Sequence, residues 1–139
     1  MKLIDHFING KSANFSGLSS TPVFNPASGE ETARVVSGTS DCINAAVKSA
    51  KEIFPEWSNT TPIVRARKMF KLKELIEFRQ NELAKLISQE HGKTFDDALG
   101  EIGRGLEVVE FACGIPKHLA GNYTSNVGRS IDSWSDYQP

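Results

Sequence analysis

Two cysteines, three histidines and one arginine set among glycines are the residues of this chain most able to do chemistry. A thiol attacks a carbonyl when a nearby base or a helix N-terminus holds it as thiolate. Cys113 falls on the apolar stripe of a helical pattern, where cysteine acts as a small hydrophobe. Cys42 falls in the first turn of a predicted helix, which favours thiolate, but no histidine or other base lies near it in the sequence. His6, His91 and His118 are too widely spaced for a metal site, and no cysteine stands at ligand spacing from them. They read as surface or helix-end residues.

The run Gly100-Glu101-Ile102-Gly103-Arg104-Gly105 has the wrong spacing for a phosphate-binding glycine loop and lies inside a helical pattern. Each glycine costs a helix about 0.8–1.0 kcal/mol relative to alanine, so the run requires a cause. One cause is close packing, in which a missing Cβ admits a neighbouring backbone. Another is a bare helical surface that leaves Arg104 free to grip a small carboxylate with both guanidinium nitrogens. Glu101 and Glu107, three residues to either side, could instead pair with Arg104 on the surface.

These residues must be held by the surrounding elements. Residues 3–36 read as strands and turns. Asn9-Gly10 supplies the positive φ pair of a tight hairpin, and Asn25-Pro26-Ala27-Ser28-Gly29-Glu30 makes a second reversal before a strand at Thr32–Val36. Helices are expected over residues 40–119. The first is capped by Thr39, carries the stripe Ile43, Ala46, Val47, Ala50, Ile53 and Phe54, and is broken by Pro55. The second begins at Thr61-Pro62 and turns Ile63, Ala66, Met69, Phe70, Leu72, Leu75 and Ile76 inward. The polar stretch Arg79-Gln80-Asn81-Glu82 interrupts it, and Asn81 is placed to cap a fresh helix that Gly92 closes. Thr94 and Asp97 open another helix, with Leu99, Ile102, Leu106, Val109, Ala112 and Cys113 buried. From Tyr123 to Pro139 the alternation reads as one strand. Strands at both ends then expect partners that these residues do not supply, so the chain is expected to be a piece of a larger protein.

Composition sets outer bounds. At 139 residues, with 39% hydrophobic and 24% charged residues, the chain has the make-up of a soluble globular protein. Lys plus Arg number 16 against 17 Asp plus Glu, so there is no basic excess to attract nucleic acid or an anionic membrane. No apolar run is long enough to span a bilayer, and the first residues do not make a signal peptide. Two cysteines suit a reducing compartment, so a cytoplasmic protein is expected.

The order of the motifs resembles the opening of an aldehyde dehydrogenase. The resemblance rests on Ile8-Asn9-Gly10-Lys11, Phe24-Asn25-Pro26-Ala27-Ser28-Gly29-Glu30, Arg65-Ala66-Arg67-Lys68-Met69-Phe70 and Glu90-His91-Gly92-Lys93-Thr94. Within that superfamily, the stretch from Gly100 to Ala112 resembles the methylmalonate-semialdehyde dehydrogenase branch, whose members also accept malonate semialdehyde. The resemblance implies an α/β fold, with residues 1–121 as the N-terminal part of the NAD-binding domain and 122–139 as the start of the oligomerisation strand. It also implies a homo-oligomer. The implied reaction is NAD-dependent oxidation of a semialdehyde acid through a cysteine, loss of carbon dioxide, and transfer of the acyl group to coenzyme A. Arg104 matches the arginine of the family's Gly-Arg-Gly motif and would hold the substrate carboxylate. The catalytic cysteine and the NAD site of the family have no match here. No catalytic, cofactor-binding or metal-ligating residue is therefore expected in this chain, and by itself it should be inactive. Two other readings stand beside this one: an NAD(P) aldehyde dehydrogenase that hydrolyses its acyl intermediate, and a non-enzymatic interaction module.

Overall fold

A computed structural model describes residues 2–15 and 17–138. Strands β1 (Lys2–Ile4), β2 (His6–Ile8), β3 (Lys11–Ala13), β4 (Ser20–Phe24) and β5 (Glu31–Val36) come first. Helices α1 (Ser40–Ser58), α2 (Pro62–His91), α3 (Phe95–Cys113) and the short α4 (Ile115–His118) follow, and β6 (Asn122–Gly128) and β7 (Ile131–Ser135) end the described chain. The chain divides into two compact units, Met1–Asn59 with Ala84–Ala98 and Thr60–Leu83 with Leu99–Pro139.

In the first unit β5 is the centre of a three-stranded sheet, parallel to β1 and antiparallel to β4. Pro22, which has no amide hydrogen to give a ladder, sits on the edge strand β4. The β2–β3 hairpin turns through Asn9 and Gly10 at φ 54° and 72°, as the Asn-Gly pair requires. The β4–β5 turn closes with the Asn25 amide donating to the Glu30 carbonyl at 2.8 Å and Gly29 at φ 75°. Arg34 braces this pair: its Nε donates to Ser20 Oγ, its Nη2 to the Ser20 carbonyl and its Nη1 to Glu31, each at 2.9 Å.

The helix boundaries depart from expectation at two places. Pro55 does not break α1, which continues through Trp57 to Ser58. Pro55 gives up one i→i−4 bond of the last turn, yet three further residues keep the helical path. Its carbonyl is then satisfied by Ser58 Oγ at 3.2 Å and Asn59 Nδ2 at 2.7 Å. Nor does Asn81 start a helix, because α2 runs unbroken for 30 residues. Arg79, Gln80, Asn81 and Glu82 are all solvent-exposed, and Arg79 pairs with Glu82 at 3.7 Å. A polar stretch marks a wetted turn, while asparagine costs a helix far less than proline does.

Other terminators stand where the sequence puts them. Pro62 is the first residue of α2, and Gly92 follows its end at φ 83° with its amide donating to the Ser88 carbonyl. Thr94 Oγ1 accepts from the Asp97 amide at 3.2 Å and donates to its carboxylate at 2.8 Å. Thr39 occupies the cap position of α1, but its hydroxyl lies 3.4 Å from Cys42 Sγ instead of bonding a helix amide.

Among the described residues burial falls on small side chains, with Ile102 the exception. Ala33, Cys42, Ala84 and Ala98 are buried in the first unit, and Ala66, Ile102 and Cys113 in the second. The α3 stripe is inward as expected, with Leu99, Leu106, Val109 and Ala112 half-buried beside Ile102 and Cys113. The α1 and α2 stripes are covered only in part: Ala66 is buried and Met69 and Ile76 half-buried, while Ile43, Val47, Ile53, Phe54, Ile63, Phe70, Leu72 and Leu75 are exposed. Periodicity identified a face able to be buried, and among the described residues much of it stays open.

The terminal segment is a hairpin, not one strand. β6 and β7 pair antiparallel, with Tyr123 opposite Trp134 and Gly128 opposite Ile131 across a reversal at Arg129-Ser130. Ser130 takes φ 61° at the reversal and Asn126 φ 52° before it, so Asn126, Gly128 and Ser130 were turn-forming residues that the alternating pattern masked. Asp132 locks the irregular β6 by accepting from the Asn126 amide at 2.9 Å and the Tyr123 hydroxyl at 2.7 Å. Pro139, included in the expected strand, lies outside the described residues.

Candidate functional site

Arg104 lies in the middle of α3 on the side away from Ile102, and is exposed. Residues 100, 103, 104, 107 and 111 follow one another on this outer face at helical spacing. A Cβ built on Gly103 or Gly105 would meet nothing within 4 Å. On Gly100 it would meet only Arg104 Nη1, at 3.7 Å. The guanidinium therefore folds back over Gly100, along the direction in which helical side chains lean. Close packing within this chain does not account for the glycines, because no backbone approaches them. What they leave is a bare surface around one cation.

The surface-pairing alternative also finds no support. Among the described residues neither Arg104 nor Glu107 joins an ion pair, while Lys48, Lys71, Lys73, Arg34 and Arg79 each do. Arg34 spends its guanidinium on the fold, whereas Arg104 offers its donors to solvent. A planar fork of this kind suits a carboxylate or a phosphate. The glycine run cannot itself cradle a dinucleotide phosphate, since it is internal to α3 and its amides lie in the helix ladder.

Lys73 of α2 reaches Glu77 on its own helix and Glu110 of α3 at 3.3 Å, fixing α3 against α2 within the second unit. Hydrogen bonding to Glu77 raises the Lys73 pKa above its ordinary 10.5, partial desolvation opposes this, and Glu110 adds to it. The pair crosses between helices, so the i,i+4 spacing that signals Lys73–Glu77 could not signal it.

The cysteines occupy different settings. Cys113 is buried at the end of α3 with 8% exposure, as a small hydrophobe would be. Cys42 is buried at 4%, in the first turn of α1. Its cavity, about 240 Å³, is also lined by His6, Phe7, Ile8, Gly38, Ile43 and Ala46. A histidine absent from the neighbouring sequence, His6 of β2, lines the same cavity 36 positions away, where the hairpin packs on α1. His91 ends α2, and His118 stacks on Phe111 with ring centroids 4.2 Å apart. Among the described residues no three histidine, cysteine or acidic side chains gather to hold a metal ion.

Comparison with known proteins agrees with the architecture. Residues 14–139 match the aldehyde dehydrogenase family. The chain belongs to that family. It is 44% identical over all 139 residues to a malonate-semialdehyde dehydrogenase of Pseudomonas aeruginosa, of which it covers 28%. An acylating, mitochondrial methylmalonate-semialdehyde dehydrogenase of Arabidopsis thaliana is 40% identical over 136 residues, covering 98% of this chain and 22% of the relative. A Sinorhizobium meliloti crystal structure, assigned as a methylmalonate-semialdehyde dehydrogenase and complexed with NAD, superposes with a TM-score of 0.93 at 43% identity. That superposition covers the whole of this chain and 28% of the other. The chain therefore spans 22% to 28% of the length of these relatives. Its mixed helices and strands match the N-terminal part of the aldehyde dehydrogenase fold. Among the described residues no helix is long and apolar enough to cross a membrane.

Proposed function

We propose that this chain is the amino-terminal part of a coenzyme A-acylating methylmalonate- or malonate-semialdehyde dehydrogenase. The enzyme would oxidise the semialdehyde acid with NAD and release propanoyl- or acetyl-coenzyme A with carbon dioxide. NAD would accept the hydride and coenzyme A the acyl group. In this reading residues 1–121 belong to the NAD-binding domain, residues 122–139 to the element that joins subunits of a homo-oligomer, and the enzyme is cytoplasmic. The nucleophilic cysteine is assigned outside this chain, since Cys113 is packed as a core residue.

The observation that carries the proposal is the uncommitted guanidinium of Arg104 on a face cleared by three glycines. Arg104 binds the substrate carboxylate and so orients the aldehyde end toward the reacting centre. A charge-assisted hydrogen bond of this kind is worth ~1.5–3 kcal/mol, or roughly 10- to 150-fold in kcat/KM. In the full-length dehydrogenase, Arg104→Leu is expected to lower kcat/KM for malonate semialdehyde by that factor while changing propanal by less than about threefold. Equal losses on both substrates would leave Arg104 a structural residue only. Oxidation that proceeds to the free acid without coenzyme A would instead favour a hydrolytic aldehyde dehydrogenase. The 139-residue chain itself should show no turnover with NAD, coenzyme A and malonate semialdehyde.

A further inference from the structure

Of the three glycines around Arg104, only one lies beneath its guanidinium. Side chains of an α-helix lean toward the N-terminus, so each covers the surface one turn before it. For Arg104 that surface is Gly100, where a built Cβ would stand 3.7 Å from Arg104 Nη1. Gly103 and Gly105 directly precede and follow Arg104, which turns each about 100° around the helix from it. A Cβ on either of those meets nothing. Gly100 and Arg104 are both exposed, and both belong to the second unit. Arg34 is aimed by its bonds to Ser20 and Glu31, but Arg104 lies against bare helix instead. A long side chain loses rotamer freedom when a ligand orders it, and a surface that already directs it lowers that cost.

We propose that Gly100 is the positioning residue of Arg104: its missing side chain lets the guanidinium lie back along α3, where it meets the carboxylate of the aldehyde. The inference rests on the reading of Arg104 as the carboxylate ligand and adds the residue that directs it. At 3.7 Å a methyl group makes ordinary contact, so alanine is admitted at position 100. A β-branched side chain adds carbons around that Cβ, and side chains at i and i+4 then compete for one patch. An acid there acts by charge, capturing the guanidinium as an i,i+4 pair. Alanine, isoleucine and glutamate all favour a helix more than glycine does, so a loss they cause is not a loss of α3.

The test reads, in the full-length dehydrogenase, kcat/KM for malonate semialdehyde divided by kcat/KM for propanal. Gly100→Ala should keep this ratio within about twofold, while Gly100→Ile and Gly100→Glu lower it by roughly fivefold or more, chiefly through KM. Added to Arg104→Leu, Gly100→Ile should change the ratio by less than about twofold, because no guanidinium remains to displace. An unchanged ratio in Gly100→Ile and Gly100→Glu, with a lowered one in Arg104→Leu, would overturn the positioning role and leave Arg104 as the carboxylate ligand. An unchanged ratio in Arg104→Leu would remove both. Equal losses on the two substrates, or an undiminished effect of Gly100→Ile beside Arg104→Leu, would make Gly100 a packing residue and overturn the inference. Should Gly100→Ile fail to fold, Gly100→Glu decides, since its i,i+4 pair supports the helix.

Discussion

Glycine in this chain has opposite meanings at different positions, and substitution separates them. At Gly103 or Gly105 an alanine Cβ meets open space on an α-helix, so Gly103→Ala should stabilise the second unit by about 0.8–1.0 kcal/mol. At Gly121 the same Cβ would lie 1.8 Å from the Ser135 carbonyl oxygen, so Gly121→Ala must push β6 away from β7. At Gly92 it would lie 3.0 Å from Pro26 Cγ, with φ at 83°. There alanine should cost ~1–2 kcal/mol from the backbone alone. Urea unfolding of the three variants checks the signs. If Gly103→Ala destabilised instead, the bare face around Arg104 would be a packing surface.

At the scale of elements, the β6–β7 hairpin depends on one carboxylate. The Asn126 amide, then the Tyr123 hydroxyl, hold the Asp132 pKa below its ordinary 3.8, against a smaller effect of burial. The stabilisation is therefore complete above about pH 4 and is lost as pH falls through the lower folded value. Trp134 faces Tyr123 across the pair, so its fluorescence should report an acid transition that Asp132→Asn abolishes. A transition of the same midpoint in the variant would assign it elsewhere. Lys73 behaves with the opposite sign. Its raised pKa means that the tie to Glu77 and Glu110 is present below 10.5 and is lost as pH rises through the folded value. Lys73→Met should remove that alkaline dependence from thermal melting while changing neutral-pH stability little, because exposed ion pairs contribute little.

At the scale of the whole molecule, most large apolar side chains remain outside while alanine, cysteine and Ile102 fill the interior. Phe70, Phe78, Phe111, Tyr123 and Trp134 are among those exposed, and no large side chain is fully buried among the described residues. Apolar surface of this extent drives association. The 139-residue chain on its own should therefore bind a hydrophobic dye and self-associate in sedimentation; a sharply melting monomer without dye binding would contradict this. Local chemistry was legible without coordinates. Asn9-Gly10, Pro62, Gly92 and Thr94 each determined a turn or a helix end, because such preferences are settled within a few residues. The buried stripe of α3 followed from helical periodicity in the same way. What only the tertiary structure decided was longer in range. It carried α2 through its polar interruption, folded the last segment on Ser130 into a hairpin, left much of the α1 stripe exposed, and set His6 beside the cavity of Cys42. Those outcomes depend on which surfaces meet across many residues, and periodicity identifies an apolar face without naming its partner.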